Sequence, residues 1–170
     1  MSGDPDRRRG RPVVASVGSE LRRDDGAGPT VLAELRARGD GTAALLGCLG
    51  SPFDLLGFWD GAELAVIVDA VRTGGAPGDV HVLELGAGAE ASAPRTVSSH
   101  GAGVCEVLRL ARAMGTAPVR TVLVGIEGSD FGHGAGLSEP VRRGVGPAAD
   151  LVAGLLMAVP AGSPRRDDRP

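Results

Sequence analysis

Two runs in this chain, Ala65-Val66-Ile67-Val68 and Val122-Leu123-Val124, are apolar at every position. A strand with one wet face alternates apolar and polar residues, so an unbroken run calls for cover on both faces. That requirement points to a parallel sheet held between helices. The intervening segments supply helical periods: Val31, Leu32 and Leu35 after Pro29, and Val104, Val107, Leu108 and Ala111 before Gly115. A third stripe, Leu151, Val152, Leu155, Leu156 and Val159, follows Pro147. Strands are expected over 13–17, 43–48, 64–71, 79–85 and 120–126. Helices are expected from Pro29 to near Gly39, from about Gly101 to Met114, and from Pro147 to a stop at Pro160. A shorter one is expected over 52–59. The turn Thr73-Gly74-Gly75-Ala76-Pro77-Gly78 leads into a strand running against the others. The fold class is therefore α/β: a three-layer α/β/α sandwich on a mostly parallel five-stranded sheet with one antiparallel strand.

The 170 residues suffice for one domain, expected over 13–159. Residues 1–12 and 160–170 are charged and rich in Pro and Gly, bury nothing, and are expected to be disordered tails. Aromatic residues make up only 2% of the chain, so the core must be built from Val, Leu, Ile and Ala. All 18 basic residues are arginine, and the net charge is −3. No basic patch calls for nucleic acid. The absence of lysine excludes a GxxxxGK[ST] phosphate loop. Cys48 and Cys105 lie in apolar segments without CxxC spacing, as expected of buried thiols in a reducing compartment. The apolar run after Arg7-Arg8-Arg9 is shorter than the roughly 7–15 residues of a signal-peptide core. No run approaches the ~20 residues of a membrane span. A cytoplasmic protein is expected, with no membrane partner.

The chemistry gathers at strand ends. After the run Val13-Val14-Ala15-Ser16-Val17 comes Gly18, a polar loop, the adjacent acids Asp24 and Asp25, and then Gly26-Ala27-Gly28-Pro29. Acids here lie beyond the carboxyl end of a strand, where open α/β sheets build their sites. They equally suit the dipole of a following helix, which explains one carboxylate more easily than two. Adjacent like charges repel, and a shared cation is one form of relief. Asp69 ends a buried run, where a carboxylate must be paired, hydrogen-bonded or cation-bound. A plain turn aspartate is the other reading. His100 follows Ser98-Ser99 at a helix start, where imidazolium is disfavoured and a neutral ring can ligate a metal. A surface histidine is the alternative. Asp25, Asp69 and His100 come from three loops that a doubly wound topology can unite, and two carboxylates with one imidazole suit nickel or zinc. His81 and His133 are expected to be non-catalytic, and Glu127 and Asp130 solvated.

In order along the chain, Gly18-Ser19-Glu20-Leu21-Arg22-Arg23-Asp24-Asp25-Gly26-Ala27-Gly28, Val68-Asp69-Ala70, Ser98-Ser99-His100-Gly101, Gly125-Ile126-Glu127 and Gly136-Leu137-Ser138 carry a resemblance. The chain resembles the hydrogenase maturation endopeptidases, from about Val13 to Val159. Their corresponding segments read GNxLxxDDGxG, a central strand end, SSHG, GIxP and GLS. The resemblance implies a phosphorylase/hydrolase-like sandwich. It also implies removal of the C-terminal extension from the large-subunit precursor of a nickel-iron hydrogenase. Asp25, Asp69 and His100 would then bind nickel borne by that substrate rather than held permanently. Ser98 and Ser99 would orient the imidazole, and the loop 131–138 or the last helix would dock the precursor. Three departures stand out. Ser19 replaces the family's asparagine, Cys48-Leu49-Gly50-Ser51-Pro52 stands where DGGT is common, and Gly128-Ser129 replaces a proline. A non-catalytic nickel-sensing or chaperone relative binding the same precursor would share the trio. A receiver-type phosphoacceptor domain shares only the outline of paired acids and a strand-end aspartate, and needs a lysine that is lacking here.

Overall fold

The computed structural model describes residues 10–39, 44–86 and 101–159. The predicted tails, apart from residues 10–12, therefore lie outside the described residues, as does Ala43. In chain order the elements are β1 (Val13–Val17), α1 (Ala27–Arg38), β2 (Ala44–Leu49), β3 (Leu64–Val71), β4 (Val80–Glu84), α2 (Gly101–Met114), β5 (Arg120–Glu127) and α3 (Glu139–Met157). Two short 3-10 turns, Arg23–Gly26 and Pro52–Gly57, precede α1 and follow β2.

The five strands form one sheet in the order β2-β1-β3-β5-β4. The first four run parallel, and β4 runs against β5, pairing His81 with Gly125 and Leu83 with Leu123. The pleat sorts the apolar runs into two cores. Val66, Val68, Ala70, Val122, Val124 and Ile126 face α1 and α3. Ala65, Ile67 and Leu123 face α2 and the turn Pro52–Gly57. The unbroken runs are thus covered on both sides, as the lack of alternation requires.

β4 lies one strand away from β3, with β5 inserted between them. The connecting turn crosses the end of β5, which leaves the amides of Thr73 and Gly74 without a strand partner. Both donate to Glu127 Oε1 at the tip of β5, at 2.8 and 2.9 Å. The ladder continues past the ends of β4, since Asp79 accepts from Glu127 and Leu85 donates to Thr121.

Three expectations need correction. The last helix starts at Glu139, not after Pro147, which lies inside it. Ser138 with Pro140 opens the helix, and Val141, Val145, Ala148, Ala149, Val152 and Leu156 form the buried stripe. An interior proline costs about 3 kcal/mol in a helix, which burial of that stripe offsets. Glu127 is buried rather than solvated, for the reason just given. Cys105 is only half-buried, and the side chain of Cys48 lies outside what is described. No helix among the described residues is long and apolar enough to cross a membrane.

Candidate active site

The chain proceeds from β1 outward to β2, then crosses back to β3 on the other side of β1. The strand order therefore reverses between β1 and β3, where doubly wound sheets open a crevice beyond the strand ends. Asp69 and Asp25 both belong to this end of the molecule. Asp69 is fully buried in β3, one residue past the Ser16–Val68 pair, and its partner across the other edge is Gly125 of β5. The turn that carries Asp25 packs against β3.

Gly18 makes the turn out of β1 possible. Its φ is +121°, and a Cβ there would stand 2.2 Å from the carbonyl oxygen of Asp25. Gly28 serves the next step: a Cβ would lie 2.7 Å from the Val68 carbonyl oxygen, so only glycine lets the first turn of α1 meet the strand. Ser19 donates its amide to Asp25 Oδ2 at 2.8 Å, and its hydroxyl accepts from the Leu21 amide at 3.3 Å. The hydroxyl thus supports the loop where the resembling proteins carry asparagine. Residues 18–22, Asp25, Leu49 and Gly50 line a cleft of about 540 Å³ over the ends of β1 and β2. On the other side of Asp69 a cavity of about 240 Å³ is lined by Val71, Thr73, His81, Leu83, Leu123 and Gly125, among others.

The two adjacent acids part company. Both are buried, but Asp25 lines the cleft, whereas Asp24 turns toward the loop between β5 and α3. Asp24 accepts hydrogen bonds from the Ser129 and Asp130 amides, both at 2.9 Å, and from the Ser138 amide at 2.7 Å. The hydroxyls of Ser129 and Ser138 donate as well, at 3.2 and 3.0 Å. Burial pushes this carboxyl up, but the amides of Ser138, Asp130 and Ser129 outweigh it and hold the group below its ordinary value. The expected helix-dipole role is therefore real but displaced: Asp24 serves the start of α3, 114 residues away, and not α1. These hydrogen bonds relieve its charge. The doubled acid was the signal for this role, but which acid lines the cleft depends on the tertiary fold.

Further contacts fasten the same loop to the β1–α1 segment. Arg23 donates its amide to Gly134, Gly134 to Leu21, and Asp24 to Asp130, at 2.8–2.9 Å. Arg23 adopts φ +47°, a left-handed conformation costing about 1–3 kcal/mol. Its guanidinium pairs with Asp130 at 3.3 Å, both side chains half exposed, so Asp130 is solvated as expected. Arg72 stacks over Phe131 at 4.7 Å.

His81 Nε2 lies 3.1 Å from Glu127 Oε2, and the Thr73 hydroxyl donates to the same oxygen at 2.7 Å. Burial pushes the Glu127 carboxyl up, yet the hydroxyl and amide of Thr73, the amide of Gly74 and the charge of His81 bring it below its ordinary value. Sequence reasoning missed Glu127, although it ends an apolar run just as Asp69 does. His133 is exposed. Of the predicted metal trio, Asp25 lines the cleft and Asp69 is buried in β3, while His100, with Ser98 and Ser99, lies outside the described residues. Among the described residues no three His, Cys, Asp or Glu groups gather to hold a metal.

Carboxylates beside the switch point of a three-layer α/β sandwich define a class of proteins that work at the carboxyl edge of a parallel sheet. The family model described as HycI, hydrogenase maturation protease, matches residues 46–155, and the chain belongs to that family. The matched span holds Asp69 and His100 but not Asp25. The chain is 27% identical over 150 residues to the hydrogenase expression/formation protein HupD of Bradyrhizobium diazoefficiens, covering 86% of this chain and 78% of HupD. The fold is similar to the hydrogenase maturating endopeptidase HybD from E. coli, with a TM-score of 0.75 and 25% identity over 86% of this chain and 92% of that one. HybD from Thermococcus kodakarensis, a [NiFe] hydrogenase maturation protease, aligns with a TM-score of 0.73 and 28% identity, covering 86% and 99%.

Proposed function

We propose that this chain removes the C-terminal extension from the large-subunit precursor of a nickel-iron hydrogenase after nickel insertion. In this reading Asp25, Asp69 and His100 recognise the nickel, which arrives as part of the substrate. The reading is supported by Asp25 lining the cleft over the strand ends, with Asp69 buried in β3 beside β1, in a chain of the hydrogenase maturation protease family. Two carboxylates and an imidazole are a suitable donor set for divalent nickel.

The remaining chemistry is hydrolysis of one peptide bond. Water adds to the scissile carbonyl carbon, the C–N bond breaks, and the proton released by water ends on the departing amine. A carboxylate of the trio takes that proton in transit. Anchoring the precursor through its metal holds a single bond at this point, converting an encounter between two molecules into a reaction within one complex. Ser19 contributes by fixing the Asp25 carboxylate before the precursor arrives.

The test is incubation with nickel-loaded and nickel-free precursor, followed by mass analysis of the precursor C-terminus. Shortening of the nickel-loaded form alone is expected. Equal shortening of both forms would remove nickel recognition from the reading, and shortening of neither would remove the protease itself.

A further inference from the structure

The turn that bears Asp25 packs against β3 on one side. On its other side it is held from behind by the loop between β5 and α3. Gly134 and Leu21 exchange a hydrogen bond, Arg23 returns one to Gly134, and the Arg22 guanidinium reaches the Phe131 carbonyl at 3.4 Å. All these contacts lie at the surface or near it. Asp24 is the exception. It is fully buried, and five donors from three residues of that loop converge on its carboxylate. Space around it is tight as well: a Cβ on Gly128 would come within 3.3 Å of the Asp24 Cβ.

Asp24 and Asp25 sit in the same short 3-10 turn, so fixing one side chain fixes the direction of the next. We infer that Asp24 is the positioning residue of this site: by riveting the β5–α3 loop to the β1–α1 turn, it sets where Asp25 presents its carboxylate to the precursor. The role belongs to the acid of the pair that does not line the cleft, and it rests on the processing reaction proposed above. It also accounts for a doubled acid without a second metal ligand. One carboxylate meets the substrate, and its neighbour holds it there.

The amide of Ser19 reports this directly, because it donates to Asp25 Oδ2. The experiment compares the full chain with Asp24→Asn and with the double variant Ser129→Ala, Ser138→Ala. The double variant removes the two hydroxyl donors while leaving all three amides on Asp24. Each protein is examined for cleavage of nickel-loaded precursor, for amide exchange by NMR, and for thermal melting. For Asp24→Asn, kcat/KM is expected to fall roughly 10²-fold, the scale of a 1 Å misplacement, carried mainly by kcat. Exchange at Ser19 and Gly134 should rise at least about tenfold while β3 and α1 stay protected. The double variant should move the same readouts in the same direction by a smaller factor. It is the deciding arm if Asp24→Asn does not fold.

A merely structural Asp24 would lower the melting temperature and leave kcat and Ser19 exchange unchanged in the folded fraction. That result, in either variant, overturns the inference. Failure of the unaltered chain to process the precursor overturns the proposed function instead. Ser19 exchange then decides separately whether Asp24 positions Asp25.

Discussion

At the scale of single residues, the site combines one carboxylate that faces the cleft with others that build its frame. Replacing Asp25 with Asn keeps the shape and an acceptor for the Ser19 amide but removes the charge. Processing should be abolished while the melting temperature stays near that of the unaltered chain. Normal processing by that variant would take Asp25 out of the mechanism. Gly18→Ala is expected to do the opposite kind of damage. Its Cβ would collide with the Asp25 carbonyl at 2.2 Å in a conformation that L-residues rarely adopt, so the loop must shift. A loss of more than about 1 kcal/mol in denaturant unfolding is expected, together with loss of processing. Glu127 adds a pH dependence. Its carboxyl titrates below its ordinary value of 4.5 in the folded chain, so the stability it contributes is complete above that pH and is lost as the pH falls through the folded value. Glu127→Gln should cost about 1–2 kcal/mol at neutral pH through weakened hydrogen bonding. Unfolding measured from pH 7 to pH 3 should show the two proteins converging.

At the scale of elements, α3 is where reading the chain and seeing it folded diverge most. Pro147 suits a helix start, and the stripe that follows it is apolar, so a short helix was the economical reading. The true start at Glu139 is marked only by Ser138 and Pro140, and the missing eight residues are held by burial of Val141 and Val145. Tertiary packing overrides a local breaker there, and no local rule reports it. Because Pro147 is exposed, Pro147→Ala should restore a backbone donor without disturbing the core. A stabilisation of about 1–2 kcal/mol is expected from chemical denaturation, less than the full helix-propensity difference because proline also restricts the unfolded chain. The strands were far more legible, since unbroken apolar runs have only one economical use. Asp69 was legible for the same reason, as a charge at the end of such a run. The burial of Asp24 and Glu127 was not, because their partners are Ser138 and Thr73, 114 and 54 residues away.

At the scale of the whole molecule, two cores on opposite faces share one sheet, and almost no aromatic residue takes part. The single tryptophan, Trp59, is fully buried in the α2-side core. Its emission should therefore shift to the red in one step on unfolding. Coincidence of that transition with loss of helical circular dichroism would show that the two cores melt together, whereas separated midpoints would show that they do not. The sheet also constrains how such a chain can be made. β3 and β4 follow each other closely, yet the place between them belongs to β5, whose residues begin at Arg120. A nascent chain on the ribosome thus displays two strands with an empty slot, and the hydrogen bonds on both sides of it wait for about 35 more residues to be synthesised. Until then the edge of β3 that pairs with β5 stays open. An unpaired strand edge is a template for pairing with other chains, so the topology lengthens the interval in which a growing chain must be kept from its neighbours.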